Sequence, residues 1–166
     1  MTAPRRYDVL FLCTGNAARS IMAEAIMNHA DGVRFRARSA GSQPQGEVHP
    51  LTVETLRGMG LSVNGLYSKS WHEVSAVQGA AFDFVFTLCD EVAGEECPRW
   101  PGRPVTAHWA IADPVSARGG IASRRRAFAQ AALQLQRRIR LFLSLPLDAV
   151  DGMTLQQRLD AIGRTD

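Results

Sequence analysis

Cysteine is scarce in this chain, lysine is nearly absent, and no long hydrophobic run occurs; each shortage excludes something. The 166 residues hold 3 cysteines, an odd number that cannot pair completely within one chain. Met1 to Arg6 carries basic residues, but the apolar stretch behind it stops at Cys13 without a small-residue cleavage pattern. It reads as a buried strand rather than a secretory leader. The expected compartment is therefore the reducing cytoplasm, where a cysteine is more often catalytic, metal-binding or simply buried than bridged. No apolar run approaches the roughly 18 residues of a spanning helix, so no membrane contact is expected.

Lys69 is the only lysine, and 19 basic residues face 16 acidic ones for a net charge of +3. The densest basic run, Arg124 to Arg126, and the later cluster Arg137, Arg138 and Arg140 fall in one helical pattern and read as a solvated face. No aromatic residues interleave with them to stack bases, and nucleic acid is not an expected partner. The hydrophobic content of 46%, with 14 glycines and 8 prolines, is that of a soluble globular protein. A chain this long buries roughly two-thirds of its unfolded surface and needs no staple.

The pattern of what is present alternates between strand and helix. Tyr7 to Leu12 is a continuous apolar run, as in a strand buried on both faces of a parallel sheet. Ser20 to Ala30 reads as a helix with Met22, Ala25, Ile26 and His29 on one side. Val33 to Ser39 alternates like a half-exposed edge strand, and a Gly/Pro-rich loop follows from Gly41 to Gly46. Pro50 opens a helix that Gly60 ends. Ser70 to Val77 reads as a short helix, and Phe82 to Leu88 and Val105 to Trp109 as strands. Ser123 to Leu145 places Phe128, Ala132, Leu135, Ile139 and Phe142 at helical spacing before Pro146. The organisation expected is one α/β domain over residues 1–146, a doubly wound parallel sheet of about four strands flanked by helices. A C-terminal amphipathic helical tail over 147–166 carries Leu155, Leu159 and Ile162. In such folds ligands gather at the carboxyl ends of the strands, and Cys13, Gly41, Cys89 and Asp113 all follow closely after strands.

The segment Cys13-Thr14-Gly15-Asn16-Ala17-Ala18-Arg19-Ser20 is the most informative. A cysteine, five residues and an arginine mean little alone. Here the cysteine ends a buried strand, Gly15 allows a tight turn, and a helix starts near Ser20. Successive backbone N–H groups and the positive end of the helix then converge, which suits a tetrahedral oxyanion. Arg19 adds two parallel donors, and the same field is expected to favour the Cys13 thiolate. The plain alternative is a core cysteine beside a surface arginine.

VLFLCTGNAARSIMAEA resembles the active-site loop of the low-molecular-weight protein tyrosine phosphatase superfamily. SAGSQPQGEVHP, SKSWHEV, FVFTLCDEVAGEECPRWPG and TAHWAIADP resemble its arsenate reductase branch, over about Val9 to Leu145. The resemblance implies reduction of arsenate to arsenite, with phosphate or sulfate as competing oxyanions. Cys13 is the implied nucleophile, and Thr14 to Ser20 with Arg19 form the cradle. Asp113, in an Asp-Pro dipeptide that elsewhere is merely a turn, is the implied general acid. A disulfide relay is implied from Cys13 to Cys89 and then from Cys89 to Cys97.

No bound cofactor is expected, and the external thiol reductant is thioredoxin or glutathione with glutaredoxin. The Cys89–Cys97 spacing departs by one residue from familiar thioredoxin-coupled members, leaving the glutathione route open with Cys97 as a spectator. Either residue also reads as an inert core cysteine. A zinc site from Cys89, Cys97 and His108 lacks a fourth donor and paired short-spaced ligands, so no metal is expected. Val115 stands where the phosphatase branch carries an aromatic residue, which weighs against the alternative of a phosphatase acting on phosphotyrosine or small phosphate esters. An oxyanion-binding or redox-sensing module without turnover is the non-enzymatic alternative.

Asn16, Ser20 and Ser39 resemble loop-bracing residues, although Asn and Ser also favour turns in general. Some relatives bind potassium beneath the loop through Asn, Glu, Ser and Asp. Asn16, Glu24 and Ser39 match, but Lys69 stands in place of the last carboxylate, so no potassium activation is expected. His29, His49 and His72 read as structural or surface residues, and a monomer or weak dimer is expected.

Overall fold

A computed structural model describes residues 6–75, 81–89 and 103–165. The strands are β1 (Tyr7–Cys13), β2 (Phe35–Gly41), β3 (Phe84–Thr87) and β4 (Val105–His108). The helices are α1 (Arg19–Asp31), α2 (Pro50–Gly58), α3 (Trp71–Ser75), α4 (Ile121–Leu143) and α5 (Gly152–Gly163), with a 3-10 turn at Pro114–Ser116. The four strands form one parallel sheet in the order β2-β1-β3-β4, as the alternation of strand and helix predicts. The chain leaves β1 for β2 on one side and returns to β3 on the other. The strand order therefore reverses at the carboxyl end of β1, where open α/β sheets leave a crevice.

Hydrophobic content explains which strand is central. Val9, Leu10, Phe11 and Leu12 are all fully buried, so β1 is covered on both faces. Phe86 stacks on Trp109 at 4.0 Å and on Phe11 at 5.5 Å, and meets Phe142 of α4 edge-on at 5.4 Å. Rings in these arrangements add to the area they bury. The helical spacing read for α4 holds, with Phe128, Ala132, Leu135, Ile139 and Phe142 at most 1% exposed.

Several local expectations are corrected. The helix α1 is buried nearly all round its first two turns, from Ser20 to Met27 apart from Glu24, because it is wedged between the sheet and α4; His29 is exposed beyond that wedge. Val33 precedes its strand and is 78% exposed. Arg138 is not part of a solvated face. It is 3% exposed, and its guanidinium donates to the carbonyls of Ala110 and Thr165 at 2.9 and 2.8 Å. The reason is its place in the helix: three residues after Leu135 and four before Phe142, it shares their inward side. Gly60 takes φ +78° just past α2, the left-handed position that ends a helix.

The segment after Pro146 folds back onto the same sheet. Asp151 caps α5 by accepting from the Thr154 amide at 2.9 Å, and Leu155, Leu159 and Ile162 are buried. No helix among the described residues is long and apolar enough to cross a membrane.

Candidate active site

The loop from Thr14 to Ala18 closes over the carboxyl end of β1, and its shape follows from what its carbonyls bind. The Thr14 carbonyl accepts from the Gln43 amide at 2.9 Å and the Gly15 carbonyl from the Gln45 amide at 2.9 Å. The Ala17 carbonyl accepts from the His49 amide at 3.0 Å and from the Thr52 hydroxyl at 2.8 Å. In a trans peptide the N–H points opposite the C=O. With those carbonyls turned out to the 43–52 segment, the N–H groups of Gly15, Asn16 and Ala18 turn inward. The start of α1 adds the amides of its first turn, which have no carbonyl partner within the helix. Gly41 permits the approach: a Cβ there would lie 2.5 Å from the Thr14 carbonyl oxygen. Asn16, at φ +44°, makes the tight turn.

Hydrogen bonds and one ion pair link β2 to the nucleophile. Ser39 donates to Glu24 Oε1 at 2.7 Å, and Glu24 Oε1 lies 3.8 Å from Lys69 Nζ. The Lys69 amide donates to Asn16 Oδ1 at 2.9 Å, which fixes the orientation of the Asn16 amide. Asn16 Nδ2 must then donate to Ser20 Oγ, at 2.8 Å. With its oxygen already accepting, Ser20 has its own proton to offer Cys13 Sγ, 2.8 Å away. Ser39 thus reaches the loop through Glu24 and Lys69.

Cys13 is 2% exposed, and burial pushes its thiol up from the ordinary range. The Ser20 hydroxyl, the amides of Ser20 and Asn16, and Arg19 all pull it down, with burial the larger influence. The thiolate-favouring field expected from the sequence is present but opposed by desolvation. Burial likewise pushes Glu24 up and Lys69 down, and the two charges act against this on each other.

Arg19 donates from Nη1 to the Ile111 carbonyl at 3.0 Å, and its Nη2 lies 3.8 Å from Asp113 Oδ2. Asp113 also accepts from the Val115 amide and the Ser116 hydroxyl, both at 3.0 Å, so it caps its 3-10 turn while facing the site. Cys13, Thr14, Gly15, Asn16, Ala17, Ala18, Arg19, Asp113 and Val115 line one cavity of about 420 Å³. Cys89 is 2% exposed and follows β3, with its Sγ 3.3 Å from Thr14 Oγ1. Both described thiols therefore border one loop. Cys97, assigned from sequence to the relay and to the alternative zinc set, lies outside the described residues. His108 Nδ1 pairs with Thr87 Oγ1 at 2.7 Å.

Gln43 and Gln45 also line the cavity, and sequence reasoning passed over them as loop residues. The available signal was their place just after Gly41, at the carboxyl end of β2, the strand beside β1. His49 is structural rather than superficial, one of the two readings open from the sequence: its amide ties the loop and its Nδ1 accepts from the Leu51 amide at 3.0 Å. Burial and Arg124 hold the imidazole pKa down, against Asp113.

The family model described as low molecular weight phosphotyrosine protein phosphatase matches residues 8–151. An arsenate reductase of Shouchella clausii is 32% identical over 134 residues, covering 81% of this chain and 93% of that protein. The solved arsenate reductase of Archaeoglobus fulgidus is 29% identical with a TM-score of 0.58, covering 80% of this chain and 98% of that one. A thioredoxin-dependent arsenate reductase of Corynebacterium glutamicum is 28% identical with a TM-score of 0.57; the match covers 85% of this chain but 65% of that longer one.

Proposed function

The chain belongs to the low molecular weight phosphotyrosine protein phosphatase family, and we propose that within it this protein reduces arsenate to arsenite, serving arsenic detoxification in the cytoplasm. The observation that carries this reading is the pair of buried thiols on one oxyanion cradle: Cys13 at its base and Cys89 against Thr14 at its edge. Hydrolysis of a phosphate ester needs only the first. The second gives a route for two electrons.

In the first step Cys13 Sγ attacks arsenic, an S–As bond forms, and one oxygen leaves as water after taking a proton from Asp113. The amides of Gly15, Asn16 and Ala18 and the Arg19 guanidinium hold the remaining oxygens and their charge. Cys89 as thiolate then attacks Cys13 Sγ. The S–S bond forms as the S–As bond breaks, and the bonding pair stays on arsenic, taking it from As(V) to As(III). The two sulfurs supply both electrons. Cys97 next attacks Cys89, freeing Cys13 and moving the disulfide to the Cys89–Cys97 pair. An external thiol reductant, thioredoxin or glutathione with glutaredoxin, restores the dithiol. No bound cofactor or metal enters these steps.

Val115 supports this reading over a tyrosine phosphatase, because it lines the cavity where a phenyl ring would need an aromatic neighbour. The test is arsenate-dependent NADPH oxidation with purified protein, supplied in parallel with thioredoxin and its reductase or with glutathione and glutaredoxin. Turnover with thioredoxin alone supports the three-cysteine relay. Turnover only with glutathione keeps the activity and removes Cys97 from it. Steady hydrolysis of an aryl phosphate with neither reductase activity assigns the site to a phosphatase.

A further inference from the structure

The helix α5 begins at Gly152, directly after residue 151 where the family match ends. It is seated on the strand that leads to the acid. Trp109 Nε1 donates to the Leu159 carbonyl at 2.9 Å, and Gln156 Nε2 donates to the Thr106 carbonyl at 2.7 Å. Near the helix end, Gly163 lies so close to β4 that a Cβ there would come 2.6 Å from the His108 carbonyl oxygen. Arg138 of α4 joins the end of this tail to the site segment, donating to Thr165 and to Ala110.

Ala110 is followed by Ile111, the residue whose carbonyl accepts from Arg19 Nη1, and two residues further is Asp113. The other side of the segment is pinned by the Ile111 amide donating to the Leu88 carbonyl at 2.9 Å. The 108–111 backbone is therefore held by the Leu88 carbonyl on one side and by Arg138 and α5 on the other.

We propose that α5 and Arg138 position the Arg19 guanidinium for oxyanion binding by fixing the carbonyl of Ile111 from behind. Arg138 touches no substrate in this arrangement. Its two charge-assisted bonds hold a backbone whose next carbonyl selects the direction of Arg19. A guanidinium suits this bridge because its fixed fork spans two carbonyls, which a single ammonium does not match.

The inference rests on the loop being an oxyanion cradle, and inorganic phosphate tests both without any redox step. Phosphate is titrated into the full chain while the amide resonances of Gly15 and Asn16 are followed by NMR, which also reports whether each variant is folded. Arg138→Met is expected to weaken phosphate binding about tenfold, the size of one well-placed charge-assisted hydrogen bond. In the Arg19→Lys background the same substitution is expected to leave binding unchanged, because the group it positions is gone. Trp109→Phe, which keeps an aromatic ring there and deletes the bond to Leu159, carries the same cycle if Arg138→Met does not fold. Equal weakening in both backgrounds, or no weakening in the first, overturns the proposal. Absence of phosphate binding by the unmodified protein overturns the cradle and the proposal together.

Discussion

Cys13 and Asp113 line the same cavity, and the chain holds them in different ways. Cys13 is 2% exposed and is bonded to Ser20, which Asn16 and the Lys69 amide hold in turn, while the Lys69 ammonium pairs with Glu24 beside Ser39. Those residues come from β1, the loop after it, α1, β2 and the segment before α3. Asp113 has a side chain 36% exposed and bonds within its own turn, at Val115 and Ser116, with Arg19 at 3.8 Å beyond them. The nucleophile is positioned by the whole fold, and the acid by a local turn on a braced strand end. Substitutions around the nucleophile should act through its position and ionisation. Those at the acid should change one proton transfer and little else.

The widest separation comes from the cysteines. Cys13→Ser is expected to abolish arsenate reduction and any aryl phosphate hydrolysis, while Cys89→Ser abolishes reduction and spares slow hydrolysis; parallel assays of both activities check this. Equal loss of both in Cys89→Ser would make Cys89 structural. Asp113→Asn is expected to lower single-turnover adduct formation by about a hundredfold, the low end for a lost general acid, with phosphate affinity nearly kept. A comparable loss of affinity would show that the acid is wired into the cradle after all.

Ser20→Ala removes a donor from the Cys13 thiolate and should raise the Cys13 pKa further, by the loss of one hydrogen bond to a charged group. The sign follows from ionisation: a higher pKa leaves less thiolate at a given pH, so the iodoacetamide rate curve moves to higher pH. At neutral pH the rate falls with it. An unmoved curve would mean that Ser20 acts only as a spacer. The smallest effect concerns the cation beneath the loop. Lys69 places its ammonium 3.8 Å from Glu24, so exchange of sodium for potassium at constant ionic strength is expected to leave turnover unchanged. A clear rise with potassium would count against a tethered cation there.

The order of elements was legible because the apolar patterns are strong: β1 is a run without a polar break after Asp8, and α4 keeps its inward positions for about four turns, from Phe128 to Phe142. The loop was legible because cysteine, glycine and arginine fall between a strand and a helix. Arg138 was not, since charge in a helix is read as solvated and only the Leu135 and Phe142 spacing argues otherwise. Gln43 and Gln45 were hidden because a coil segment carries no period to say which side chains face a cavity. The balance at Cys13 was also beyond the sequence: donors can be counted from residue types, but desolvation depends on how far the fold buries the thiol, here to 2% exposure.

The outward carbonyls of the loop have a consequence for turnover. Because Thr14, Gly15 and Ala17 spend their carbonyls on the 43–52 segment, the cradle offers donors and little else. Arsenate arrives as an anion and meets them. Arsenous acid, the reduced form, is neutral near pH 7 and brings no charge for those donors to hold. Reduction thus removes the charge attraction that captured the substrate, and the product leaves a site that no longer holds it.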